Sequence, residues 1–457
     1  MRCLPALLRM LLGVVRTLQL ALPRIGVGWM FAILTVNFNQ IVIFDLKVAA
    51  VVVTSMIGLH HLLSPFQIVF GRIADRNPIF GFRRTPYLLA GATVASLVFV
   101  LLPNVAVGMG AGSPLAFVMG FALLIIFGVG IAAMGDSYHS LIAENVEAKK
   151  RGAVISVAWT LMILSTIITA GVSAQLMPTY NQAAMQTLYN LTPLVVLGTA
   201  VIGVLGIERR LRGMEKQAAL ERARTIVPDS NPIKAAITVL HTNPQVRLFF
   251  VFILLTIMGI FLQDGILEVY GREVFEMNAG EASMFQQMWG GGVLIGMIGM
   301  GILSVVLPVS KKTIATVGGA GTALGFGLLT ITTLTHQQHL LNASLFFMGL
   351  SVGLYNVGAV SMMMDMTIEG ATGLYMGLWG VAQACGNGFA NVIGGALKSV
   401  LIETGLVDFA IGYATIFGLE AVLMIVGVAI LRSIDINEFR GITNKDLTKA
   451  MEVGATA

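Results

Sequence analysis

Apolar stretches of about twenty residues recur along this chain, and that recurrence constrains its fold more than any other feature, because about 20 such residues in a helix cross the roughly 30 Å hydrocarbon layer of a bilayer. Only 11% of the 457 residues are charged and 56% are hydrophobic, whereas a soluble protein carries roughly 25% charged residues. A water-facing surface cannot be built from that composition. The stretches fall near 26–45, 48–70, 86–106, 113–135, 153–175, 188–208, 248–270, 283–307, 313–335, 341–363, 373–397 and 408–431. They predict an all-α integral membrane protein of twelve transmembrane helices. Glycine (52) and methionine (25) are abundant, as expected of helices that approach closely in lipid.

Lys and Arg resist translocation, so their distribution predicts orientation. With the N-terminus inside, all but Lys47, Arg272 and Lys398 of the 28 Lys and Arg lie in inside segments. Both termini are therefore expected on the cytoplasmic side of a bacterial cytoplasmic or photosynthetic membrane. One inside loop, 364–372, has Asp365 and Glu369 and no base. Residues 1–25 are not read as a signal peptide: Arg9 and Arg16 interrupt the apolar run seven residues apart, on one side of a helix, and suit an interfacial segment. Cys3 and Cys385 have neither disulfide nor zinc spacing. No Walker loop and no H-E-x-x-H interrupts the helices, so no enzyme is expected; a lipid bilayer is the partner the composition implies, and no nucleic acid is expected.

The longest polar stretch opens with Glu208, Arg209 and Arg210 and closes at Asn243-Pro244. It separates a six-helix half over 26–208 from another over 248–431, with a central cytoplasmic loop over 209–247 and a tail over 432–457. This plan of two six-helix halves resembles the major facilitator superfamily. Gly71-Arg72-Ile73-Ala74-Asp75-Arg76 is similar to that superfamily's G-x-x-x-D-R/K signature, lengthened here by Asn77 to Gly81. The resemblance implies a cytoplasmic latch built on Gly71, Asp75, Arg76, Arg83 and Arg84. Charges at helix ends usually pair or snorkel, which makes a purely structural latch the plain alternative.

Three further stretches resemble one branch, the PucC/LhaA group of (bacterio)chlorophyll-protein assembly factors. Gly81-Phe82-Arg83-Arg84-Thr85-Pro86-Tyr87 is similar to its G-W-R-R-T-P-Y. Gln263-Asp264-Gly265-Ile266-Leu267-Glu268-Val269-Tyr270-Gly271 resembles Q-D-x-x-L-E-P-Y-G, with Val269 where the pattern has Pro. Gly373 to Ala384, with Gly377, Trp379, Gly380 and Gln383, resembles A-G-L-x-x-G-x-W-G-x-x-Q-A. The resemblance implies a factor that holds or hands over chlorophyll-type pigment as cargo to nascent antenna or reaction-centre polypeptides, with no covalently bound cofactor.

Read by themselves, the same residues leave alternatives open. On a continuous helix 7, Asp264 and Glu268 are four apart and share a face. They could titrate as a proton-coupling pair, ligate the magnesium of a chlorin through oxygen, or, for Glu268, pair with Arg272. His60 and His61 fall near the middle of helix 2, where an imidazole could ligate a pigment metal or bond a neighbouring helix; adjacent positions point about 100° apart, so at most one would face a given cleft. Trp379 and Gln383 share a face of helix 11 and could flank a ring, or simply pack. Gln263 and Tyr270 complete the candidate pigment or substrate residues. Asn37, Asn39 and Gln40 in helix 1 suit interhelical hydrogen bonds, and the glycines of helices 8 and 9 suit close packing. Asp365 and Glu369 are expected to meet bases of the first half such as Arg83 or Lys150. Two function classes follow: a pigment-handling assembly factor, and a proton-coupled secondary transporter of a small amphipathic solute.

Overall fold

The computed structural model describes residues 3–63, 66–214, 217, 232–306, 309–366, 372–436, 438 and 439. Regular structure among them is helical, with one isolated bridge between Ile79 and Phe82. In the first half the helices are α1 (Cys3–Ala21), α2 (Pro23–Ala32), α3 (Ala50–Leu62), α4 (Gln67–Arg76), α5 (Thr85–Gly110), α6 (Pro114–Asn145), α7 (Ala148–Leu176) and α8 (Gln182–Val204). The second half has α9 (Pro232–Thr242), α10 (Pro244–Phe261), α11 (Leu267–Val274), α12 (Ala279–Ser283), α13 (Phe285–Val306), α14 (Lys311–Leu334), α15 (Gln338–Asp365), α16 (Thr372–Lys398) and α17 (Phe409–Arg432). Nine helices among the described residues are long and apolar enough to cross a membrane, which bears out the all-α membrane fold; these nine do not by themselves carry the count of twelve. Apolar side chains such as Leu97 and Leu101 of α5 are about half exposed, as a lipid-facing surface requires.

Three expected spans are interrupted. The first continues past α2 into two π-helical segments, Ile33–Phe38 and Ile41–Asp45, a geometry that recurs at functional sites in helices. The second is split into α3 and α4; Ser64 and Pro65 lie outside the described residues, and a proline has no N–H to continue a helix. The seventh, expected as one helix over 248–270, is α10 and α11 with a turn over 262–266 between them.

The chain divides into two compact units, Met1–Val48 with Leu63–Arg224 and Asn278–Met284, and Ala49–Leu62 with Thr225–Met277 and Phe285–Ala457. Within the first, α2 lies so close to α7 that a Cβ at Gly28 would fall 2.3 Å from the Met162 carbonyl oxygen. Asn37 donates to Ser173 Oγ (2.7 Å) and accepts from the Tyr189 hydroxyl (3.2 Å), while Gln40 donates to Ser283 Oγ (2.9 Å). Asn37 and Gln40 thus make interhelical hydrogen bonds, as expected, while Asn39 Oδ1 accepts the Gln40 N–H.

Within the second unit, α13 and α15 meet through glycine: a Cβ at Gly349 would fall 2.1 Å from the Trp289 carbonyl oxygen. Gly318 gives α14 the same intimacy with Tyr355 of α15. In the ridges themselves a Cβ at Gly292 would fall 2.4 Å from the Phe346 carbonyl oxygen, one at Gly296 2.3 Å from that of Leu350 and one at Gly325 2.8 Å from Met348 Cβ, so these glycines serve packing. α3 packs on α16 through Gly58, where a Cβ would meet the Gly388 carbonyl oxygen at 2.8 Å.

Candidate functional site

The loop before α5 builds an ionic joint inside the first unit. Phe80 and Gly81 turn the chain with positive φ, and Leu211 N–H donates to the Gly81 carbonyl oxygen (2.8 Å), fastening the loop to the segment after α8. Arg83 and Arg84 both reach Glu144 at the end of α6, Arg83 Nη2 at 3.0 Å from Oε2 and Arg84 Nη2 at 2.8 Å from Oε1. Glu208 accepts the main-chain N–H groups of Arg83 (2.6 Å), Arg84 (3.0 Å) and Thr85 (2.7 Å). Its charge therefore sits on the positive end of α5, opened by Pro86 at the first turn. Gly71 lets α4 approach Asp136 of α6, where a Cβ would meet Oδ1 at 2.8 Å. Arg76 is exposed, and the side chain of Asp75 lies outside those described.

The turn in helix 7 is built differently. In a continuous helix the Gln263 N–H would bond the Gly259 carbonyl; here it donates to Oε1 of Glu420 on α17 at 2.8 Å, and the helix ends. Asp264 N–H and Ile266 N–H turn back to the carbonyls of Phe261 (3.1 Å) and Gln263 (2.8 Å). The Leu262 carbonyl fits against α16 only because residue 394 is glycine: a Cβ there would lie 1.9 Å from it. Gly265 likewise admits Thr54 of α3 and Asn391 of α16.

This corrects the shared face of Asp264 and Glu268. The turn falls between them, leaving Asp264 half-buried in the break and Glu268 buried within α11. Gln263 is buried, with Nε2 on Met348 Sδ (3.8 Å). Tyr270 is a core residue, its hydroxyl on Thr333 (2.8 Å) and its ring edge-on to Phe417.

His60 and His61 stand in the last turn of α3 rather than mid-helix. Their rings are not separated by the 100° step: the centroids are 3.9 Å apart at 36°, and His60 Nδ1 is hydrogen-bonded to the Ile57 carbonyl. In α16, Trp379 is 1% exposed, donates to the Met366 carbonyl (3.3 Å) and meets Phe249 edge-on at 4.8 Å. Gln383 is half-buried with its amide on Met363 Sδ (3.8 Å). Asp365 pairs with Lys311 (2.9 Å) at the neighbouring helix start within its own unit, while in the first unit Arg83 pairs with Glu144 and Lys150 with Glu147. Glu369 lies outside the described residues.

Sequence reasoning passed over several groups that matter. Glu420 is fully buried, and its signal was plain, an acid in the middle of the apolar run 408–431, whose other acid, Asp408, stands at its first position. Glu144 and Glu208 looked like ordinary helix-end acids. Lys398 is 1% exposed and pairs with Glu273 (3.1 Å) and Glu403 (3.0 Å), while Glu403 also accepts the Ala50 N–H (3.0 Å) at the start of α3. Among the described residues no group of three or more His, Cys, Asp and Glu could hold a metal ion.

Residues 37–439 match the family described as PUCC protein. A Rhodobacter capsulatus protein named bacteriochlorophyll synthase 44.5 kDa chain is 28% identical over 427 residues, 91% of this chain and 94% of that one. Protein PucC of Rhodovulum sulfidophilum is 22% identical, over 84% of this chain and 85% of its own. Among solved structures, the inward-open xylose transporter XylE from E. coli superposes with a TM-score of 0.66 at 13% identity, over 93% of this chain and 98% of that one. The nucleoside transporter NupG gives 0.65 at 16% identity, over 91% and 99%. At such identities the likeness is one of fold, that of major facilitator transporters.

Proposed function

Since this chain belongs to the PucC protein family, we propose that it is a membrane assembly factor for light-harvesting and photosynthetic complexes, holding (bacterio)chlorophyll and delivering it to nascent antenna polypeptides. One observation carries the reading: the family match runs through nearly the whole described bundle, with a whole-length relative named for bacteriochlorophyll. The chain is a multi-pass membrane protein. Its basic residues support both termini on the cytoplasmic side. We take the role as non-enzymatic; the word synthase stays with the relative that bears it.

The burial pattern sorts the cargo candidates. Trp379, Tyr270 and Glu268 are enclosed by their own helices and serve the site by shaping it. Asp264, Gln383 and His61 are half-buried, and among them are a carboxylate, an amide and an imidazole, groups that suit the magnesium or the polar substituents of a chlorin. The second reading, a proton-coupled transporter of a small amphipathic solute, draws on the transporter fold.

Deleting the gene from its native photosynthetic host separates the two. The assembly reading predicts a several-fold loss of antenna absorbance with antenna transcripts and free pigment retained, restored by the wild-type gene. Unchanged antenna absorbance overturns it.

A further inference from the structure

The break in helix 7 is surrounded by oxygen atoms that have nothing to accept from. Glu420 is fully buried; its Oε1 takes the Gln263 N–H, and its Oε2 has no hydrogen-bond partner. Gln263, 3% exposed, spends its amide nitrogen on Met348 and leaves Oε1 without a donor. Asn391, 1% exposed, spends its nitrogen on the Asn387 carbonyl (3.1 Å) and leaves Oδ1 without a donor, beside Gly265. The half-buried carboxylate of Asp264 lies within electrostatic reach of Glu420. Buried acceptors are normally satisfied, so three such groups around one turn, with the Asp264 carboxylate beside them, call for a positive partner.

Among the described residues no side-chain donor is bonded to Glu420 Oε2, Gln263 Oε1 or Asn391 Oδ1. In this unit Lys398 is held by Glu273 and Glu403, and Lys311 by Asp365. On the elements packed against α17, Lys312 donates to the Arg432 and Ile434 carbonyls and Tyr270 bonds Thr333, while Arg247 of α10 and the buried Glu268 and Arg272 of α11 are the other charged groups; Tyr355 bonds Thr256, and Tyr413 of α17 itself bonds Glu273. The backbone adds to the attraction: α10 ends here, so the negative end of its dipole faces the turn, the arrangement in which broken membrane helices hold Na⁺ or H⁺. A divalent ion is the poorer fit, because Mg²⁺ keeps several waters and Ca²⁺ takes six to eight oxygens, room a cluster this buried does not offer.

We propose that the break in helix 7 binds one small monovalent cation, a sodium ion or a proton, between Glu420, Gln263, Asp264 and Asn391. The site lies wholly within the second unit and does not depend on the pigment reading. When the cation is bound, the carboxylate that ends α10 is neutralised; when it leaves, a charge is stranded in the bundle, so occupancy biases how firmly the break is held.

The purified full-length chain tests this by its thermal midpoint at constant ionic strength, in sodium chloride against choline chloride, from acid to alkaline pH. A sodium site raises the midpoint in sodium; a proton site raises it on acidification in choline, with a protonated-carboxyl infrared band. Either shift must be lost in Glu420→Gln, which keeps an acceptor for the Gln263 N–H and so should fold, and must persist in the control Glu403→Gln. Radiolabelled sodium binding, or the loss of the carboxyl band in Glu420→Gln, identifies the ion independently of unfolding. Equal midpoints in sodium and choline at every pH, or a shift that survives Glu420→Gln, overturns the proposal.

Discussion

The loop before α5 and the break in helix 7 carry motifs of similar strength, and each is organised around buried or half-buried acids, yet they are finished to different degrees. At the loop, Glu144 is met by two guanidinium groups and Glu208 by three main-chain N–H groups. At the break, Glu420 receives one N–H and keeps an oxygen without a partner, as do Gln263 and Asn391. The loop leaves the Arg84 Nη1 and Thr85 Oγ1 atoms without hydrogen-bond partners, but each of its acids is met by cations or N–H groups from within, and such a region is a joint. A region that leaves acceptors open is where something from outside the chain can bind.

The contrast can be attacked by substitution, with unfolding followed in detergent. The largest effect belongs to the shared scaffold: Trp379→Ala empties an enclosed site in α16 and should cost about 3–5 kcal/mol. A loss below about 1 kcal/mol would mean that the indole faces a cavity and return it to the cargo candidates.

Next, Glu144→Gln removes the charge that Arg83 and Arg84 share and should cost about 2 kcal/mol, since hydrogen bonds to charged groups are the stronger ones. Glu208→Ala uncovers three N–H groups at the start of α5 and should cost about 1 kcal/mol. At the break, by contrast, Glu420→Gln should change stability by less than about 1 kcal/mol or increase it, because it neutralises a buried carboxylate that no base answers. If Glu420→Gln proves as costly as Glu144→Gln, the two regions are alike and the distinction fails. Smallest of all, exchanging the charges of Lys311 and Asp365 should stay within about 0.5 kcal/mol, since both are partly exposed.

The spans and the tight glycine contacts were legible because length and residue size speak for themselves. The interruption of helix 7 was not: Leu262, Gln263 and Asp264 are compatible with a helix, and the atom that ends it belongs to Glu420, far along the chain. Only Glu420, in the middle of the twelfth apolar run, hinted that something in the bundle needed a carboxylate. The two readings of Trp379, ring-flanking or packing, stayed open for a related reason. Helix 11 is apolar around most of its circumference, so periodicity could not tell its core face from any other. The pairing of Asp365 was missed because Lys311 looked like a topology marker rather than a partner.

The absorption spectrum of the purified protein, taken from membranes of its own photosynthetic host, tests the central claim most directly. A pigment-delivering factor should carry chlorin absorbing in the red or near infrared, reduced in Gln383→Ala and kept in Glu403→Gln. A colourless protein that acidifies vesicles in the presence of a solute would contradict the account and make the chain a transporter in function as well as in fold.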